Sequence, residues 1–137
     1  MGITEVIDRP KLAVLREELG NSFARILGYF REDGAKSIAA IEDAVRQRSA
    51  VALVRPAHTL KGESFQFGAT PLGLMAERIE MAARRAVADS VFPSDVVDYV
   101  AHLRPLFDEA VAALIRETAA SPISRLLGFG RRLVQAF

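Results

Sequence analysis

Apolar residues recur along this chain every three or four positions, the period of an α-helix, and no stretch alternates with the two-residue period of a strand. Breakers cut the pattern into pieces. "KLAVLREEL" follows Pro10, which suits a helix start, and Gly20-Asn21 can cap its end. "SFARILGYF" continues to Asp33-Gly34, which reads as a second break. In "AKSIAAIEDAVRQR", Ile38, Ile41 and Val45 share one face. Ser49 suits an N-cap for the next segment, whose apolar face runs through Val54, Ala57, Leu60, Ser64 and Phe67. Thr70-Pro71 reads as an N-cap followed by proline at the first helical position, with a stripe of Leu72, Met75, Ala76, Ile79 and Ala83 behind it. Asp89-Ser90 and Pro93 mark a loop. A last long segment runs from Ser94 to Glu117, and Pro105 inside it predicts a kink or break near residue 104.

Four long amphipathic segments on short loops predict an all-α fold, an antiparallel four-helix bundle. Its helices fall roughly at 34–48, 50–67, 71–87 and 94–118, with an extra N-terminal helix or helices covering one end. The bundle domain then spans 1–118. Residues 119–137 form a C-terminal amphipathic basic tail. There "ISRLLGFGRRLVQAF" sets Ile123, Leu126, Leu127, Val134 and Phe137 near one face and Arg125, Arg131 and Arg132 toward the other. Such a tail can dock on the bundle, bind a partner or touch an anionic membrane surface, docking or disorder being favoured over the other two.

Composition narrows the function classes. The chain has 137 residues, half of them apolar, which suits one domain with a real core. With 18 basic and 17 acidic residues the net charge is +1, and no basic stripe argues for nucleic acid. The absence of cysteine rules out disulfides and thiolate chemistry, and two histidines among scattered carboxylates show no metal-ligand spacing. No apolar run is long enough to cross a bilayer. The Met-Gly start lacks an acylation signal, since Val6 stands where Ser or Thr is needed. No Gly-rich nucleotide loop is present, and an all-helical chain offers no strand-end aspartate cluster of a receiver. These features predict a cytoplasmic, monomeric protein without its own kinase or ATPase activity. A start at Met1 with no room for a second domain points to a stand-alone protein.

The chemistry concentrates in "AHTLKGESFQFGA", residues 57–69. On a helix, His58 has Lys61 and Gly62 as its surface neighbours, and it borders the apolar face while pointing outward. Glycine inside a helix costs about 1 kcal/mol relative to alanine. Beside an exposed nucleophile that cost leaves room for another surface to approach; facing a core it would only let helices cross. An exposed imidazole, with an ordinary pKa of about 6.5, is largely neutral at pH 7 and can attack a phosphoryl group. Lys61 offers the resulting phosphate a compact charge. Phosphoryl transfer depends mostly on positioning and electrostatics, so a bare helix surface can serve if the partner brings the metal and the acidic residues. His102, in "VAHLRPL", has no Lys-Gly after it and reads as structural or solvent-exposed.

"AHTLKGESFQFGATPLGLMAERIE" resembles the signature of histidine-containing phosphotransfer (HPt) domains. The matching residues are Ala57, His58, Leu60, Lys61, Gly62, Ser64, Gly68, Ala69, Leu72, Ala76, Ile79 and Glu80. The resemblance implies a four-helix bundle that passes phosphate between a histidine kinase or receiver aspartate and another receiver aspartate. It implies His58 as acceptor, through Nε2, with Lys61 steadying the phosphate. Gly62, Glu63, Gln66 and Arg84 would face the docking receiver. No cofactor is expected on this chain, with Mg2+ on the partner receiver. Family members often carry Gln or Glu at the position of Glu80, hydrogen-bonded to Nδ1 of the histidine, and this contact is favoured; Glu80 can also pair with Arg84 at i+4, and both contacts can coexist. Two residues depart from the family pattern. Pro56 should kink or loosen the helix before His58, and Glu63 adds a negative charge next to Gly62, on the docking side or its border. A phosphate-independent scaffold or inhibitor that binds a kinase or response regulator is the alternative, and a bundle enzyme using Glu80–His58 as a general base pair is a third reading.

Overall fold

The computed structural model describes residues 5–120, and the tail from 121 to 137 lies outside them. Among the described residues the secondary structure is helical. It comprises α1 (Arg9–Leu19), a short 3₁₀ turn (Gly20–Ser22), α2 (Phe23–Arg46), α3 (Ala50–Gln66), α4 (Thr70–Asp89), α5 (Val96–Ala101) and α6 (Leu103–Ala120). α2, α3, α4 and the α5–α6 pair form the antiparallel four-helix bundle, in which α2 packs on α3, α3 on α4, α4 on α5 and α6, and these last two back on α2. α1 lies against α2 and α3 at one end.

Several ends follow the sequence directly. Ser49 caps α3 by accepting from Ala52 N, and Asp8 caps α1 by accepting from Lys11 N. α3 ends in a Schellman turn: Ala69 N donates to Ser64 O at 2.8 Å and Gly68 N to Phe65 O at 3.1 Å, with Gly68 at φ 76°. A Cβ at Gly68 would stand 2.8 Å from the Asp8 carbonyl, whose own residue donates its N–H to Gly68 O at 2.7 Å. The α3–α4 turn is thereby fastened to the N-terminal segment.

Other expectations are corrected. Asp33-Gly34 is no break: α2 runs through it for 24 residues. Gly34 is buried, and a Cβ there would collide with the Phe107 ring of α6, so this glycine serves a helix crossing. The first bundle helix therefore starts near residue 23, and only α1 remains as the end piece. The α3 core face begins at Leu53, fully buried, while Val54 is half-buried. α4 begins at Thr70 with Ala69 at the cap position, one residue earlier than the Thr-Pro signal places it. The last segment does break, at His102, between α5 and α6; Pro105 falls in the first turn of α6, where its missing N–H is harmless. Pro56 leaves α3 continuous from Ala50 to Gln66. It deprives only the Ala52 carbonyl of its helical donor, and Ala52 is exposed to water.

The core is one cluster in which Ile38, Ile41, Leu53, Leu60, Leu72, Ile79, Leu103 and Leu114 are essentially inaccessible. Aromatic rings fasten its α1 end. Phe67 stacks against Phe30 at 4.9 Å between centroids, and Phe30 meets Phe107 at 5.7 Å. No helix among the described residues is long and apolar enough to cross a membrane.

Candidate functional site

Ala57, Leu60 and Ser64 bury one face of α3, and this fixes the rotation of the helix. His58, next to Ala57, is left on the outer edge toward α4 with its side chain 61% exposed. α4 approaches closely because Gly73 has no side chain: a Cβ there would lie 2.7 Å from the Phe65 ring. Glu80 follows two turns later on the same buried face, and its side chain is 3% exposed. Gly73 is a positioning residue that motif reading passed over; a glycine inside an otherwise unbroken helical stripe was its only trace in the sequence.

Glu80 is the hub. Its Oε2 accepts from His58 Nδ1 at 2.9 Å and from Arg84 Nε at 2.9 Å, with Arg84 Nη2 at 2.8 Å. Its Oε1 lies 2.7 Å from Lys61 Nζ. Burial pushes this carboxyl up, but hydrogen bonds from Lys61, Arg84 and His58, with the nearby Lys61 charge, overcome that and hold it down at about 2. Glu80 is therefore an anion at neutral pH. An anion that only accepts requires the proton on Nδ1 of a neutral His58, which leaves the Nε2 lone pair on the exposed side of the ring. Two cations around one carboxylate also leave a net positive surround for an arriving phosphate.

Both contacts weighed for Glu80 are present together, and its burial is deeper than a position bordering the stripe suggests. Lys61 and Arg84 are both engaged with Glu80 in this structure rather than with the outer edge of the ring. Gly62 is exposed, and a Cβ there would meet nothing within 4 Å, so no internal packing calls for glycine at this position. Gln66 is exposed two turns beyond His58. Glu63 is half-buried on the flank of α3 toward Asp33 of α2. Burial and then the Asp33 charge push its carboxyl up, and its buried Oε1 has no hydrogen-bond partner among the described residues. His102 is exposed at the α5–α6 junction, with Nδ1 2.7 Å from the Asp98 carbonyl.

Beside the hub runs an open groove of about 410 Å³ between α3 and α4, lined by Val51, Val54, Arg55, Arg84 and Val87. Val51 is 70% exposed. The sequence signal for this groove is faint: Val51 and Arg55 outside the apolar face, and Val54 at its start, one and two turns before His58.

An outward imidazole on a bundle helix, with its inner nitrogen tied to a buried carboxylate, is the frame of a phosphotransfer bundle. The Hpt domain matches this chain over residues 25–117. The chain belongs to the Hpt domain family and is thereby a protein of the histidine phosphotransfer class, which works with kinases and response regulators in phosphorelays. Among solved structures it is similar to the crystal structure of histidine-containing phosphotransfer protein B (HptB) from Pseudomonas aeruginosa PAO1. The TM-score is 0.74 at 23% identity, over 84% of this chain and 96% of that one, a likeness of fold. Comparison with curated proteins gives no match.

Proposed function

We propose that this chain is a phosphocarrier in which His58 takes a phosphoryl group on Nε2 from a histidine kinase or a receiver aspartyl phosphate and hands it to a receiver aspartate. The observation that carries this reading is the 2.9 Å contact between His58 Nδ1 and the ionised Glu80, on a ring whose other edge is exposed. When the donor is an aspartyl phosphate, the Nε2 lone pair attacks phosphorus, the bond from phosphorus to the aspartyl oxygen breaks, and the carboxylate leaves with its electron pair. The Nδ1 proton stays in place. The ring becomes a phosphoimidazolium, whose positive charge faces the Glu80 carboxylate. In the onward step a receiver carboxylate attacks the phosphorus, the N–P bond breaks, and the electron pair returns to Nε2. Glu80 thus orients the ring and compensates its transient charge. Lys61 and Arg84 stand within a side-chain rotation of the phosphoryl oxygens, and their pairing with Glu80 keeps them near when no phosphate is bound.

Gly62 leaves the approach to His58 open, and the Val51–Val54–Val87 groove with Arg55 and Arg84 on its walls suits an apolar contact rimmed by partner carboxylates. Mg2+ belongs to the receiver in this reading, not to this chain. Glu63, on the flank toward α2, influences docking only from a distance.

The test is transfer from a phosphorylated receiver, with the product checked for lability in acid and stability in base. His58→Gln is expected to accept nothing. If it accepts phosphate as well as the natural chain, the assignment is wrong; if it retains cellular function while Gly62→Arg loses it, the protein acts as a phosphate-independent scaffold.

A further inference from the structure

On the side of the bundle away from His58, α2 and α6 leave an open groove of about 560 Å³. Its walls are largely apolar. Phe107, Val111 and Ile115 form one ridge of α6 at i, i+4 and i+8 spacing, with Ala112 beside them, and Gly28 opens the α2 wall. A Cβ at Gly28 would meet nothing within 4 Å. Exposure along the ridge rises toward the end of α6, from 8% at Phe107 through a half-buried Val111 to 45% at Ile115. The rim carries Glu32 and Asp108 against Arg31.

The chain continues from this spot. The end of α6 is fixed against α1, since Arg9 Nε donates to Glu117 Oε2 at 3.1 Å and Arg16 to the Glu117 carbonyl at 3.5 Å. Residues 121–137 follow, and Pro122 disfavours helical geometry at the residue before it. Ile115 to Phe107 is about 12 Å of helix at ~1.5 Å per residue, and the tail is long enough to run back along it. The tail contains three arginines and no acidic residue, with Ile123, Leu126 and Leu127 at helical spacing. A second cleft by α6, among Glu5, Arg9, Arg116 and Glu117, is smaller at about 220 Å³ and more polar, a poorer match for those side chains.

We propose that the α2–α6 groove is the seat of the chain's own C-terminal segment, residues 121–137, whose apolar side chains fill it while its arginines face Glu32 and Asp108. The segment is then a strap over the face opposite His58. It shields the most exposed part of the α6 ridge and leaves the phosphotransfer surface open, independently of what His58 does.

Hydrogen exchange read by mass spectrometry on the full chain tests this. Amides of residues 123–134 are expected to exchange at least about tenfold more slowly than in an unstructured chain, at every protein concentration. Asp108→Arg, which turns a rim charge against the arginines, and Ala112→Arg, which puts a like charge into the groove, are each expected to remove that protection. Protection over residues 23–118 should persist in both variants as the control for folding. Tail amides that exchange at the unstructured rate overturn the proposal, as does protection that survives both substitutions. Protection that grows with protein concentration would assign the groove to a second copy, and protection seen only with vesicles of phosphatidylcholine and phosphatidylglycerol would assign the tail to a membrane surface; either result also overturns it.

Discussion

The two flanks of α3 carry one carboxylate problem each and solve it in opposite ways. On the α4 flank the buried Glu80 is surrounded by His58, Lys61 and Arg84, and it stays ionised. On the α2 flank Glu63 is half-buried beside another acid, Asp33, with one oxygen unpartnered. Burial disfavours both anions; the difference lies in what else each one meets. A buried charge is tolerated where the geometry supplies opposite charge and donors, and where that happens on an exposed helix edge it also builds a site.

The largest effect should come from removing the hub. Glu80→Ala takes the partner from Lys61 and Arg84 and leaves a void. Because both cations can still reach water, a loss on the order of 2–4 kcal/mol is expected in denaturant unfolding. Phosphotransfer should fall as well, since nothing then holds the His58 tautomer. A stability close to that of the natural chain would mean the hub is a surface pair like any other.

Acid should separate the flanks. Glu80 has a folded-state pKa of about 2 against an ordinary 4.5, so its contribution is fully present above 4.5 and is lost as pH falls from there toward 2. That contribution is on the order of 3 kcal/mol. Glu63 has a raised pKa, so it opposes folding once pH rises through 4.5 toward its folded value, and it is neutral at lower pH. Unfolding free energies of Glu80→Gln and Glu63→Gln, measured from pH 7 to pH 3, should therefore converge on the natural chain from opposite sides. Two variants lying on the same side at pH 7 would break the comparison.

The helical glycines repeat the contrast with a smaller effect. Gly34→Ala forces a methyl into the Phe107 ring and should destabilise by about 1–3 kcal/mol. At pH 7, Glu63→Gln should stabilise slightly, because it removes a half-buried charge facing Asp33. Gly62→Ala meets open space and should gain about 0.5–1 kcal/mol of helix stability, at the expense of transfer from a receiver if clearance there matters. A destabilised Gly62→Ala would show that the glycine is structural.

Much of this was legible in the chain. Ser49, Gly20 and the helical stripes announce the elements because caps and periodicity are local properties. The His58–Lys61–Gly62 spacing announces the site for the same reason: three residues on one turn share a surface wherever the helix goes. Gly34 misled because a glycine in sequence looks the same whether it ends a helix or admits a neighbour. Pro105 was read correctly as a break, yet the break itself sits at His102, since proline is tolerated in a first turn.

By itself, then, the sequence determined an all-helical bundle and an exposed histidine with a lysine and a glycine beside it, because local spacing and propensity suffice for both. Tertiary structure decided the rest. It ran α2 unbroken through Gly34 against Phe107, turned Glu63 toward Asp33 of α2, and drew Glu80 inward to hold His58, Lys61 and Arg84 at once. Those outcomes depend on which helix packs against which and at what distance. No pattern within a single helix contains that information, and the Gly73–Phe65 contact that brings α4 close enough spans two of them.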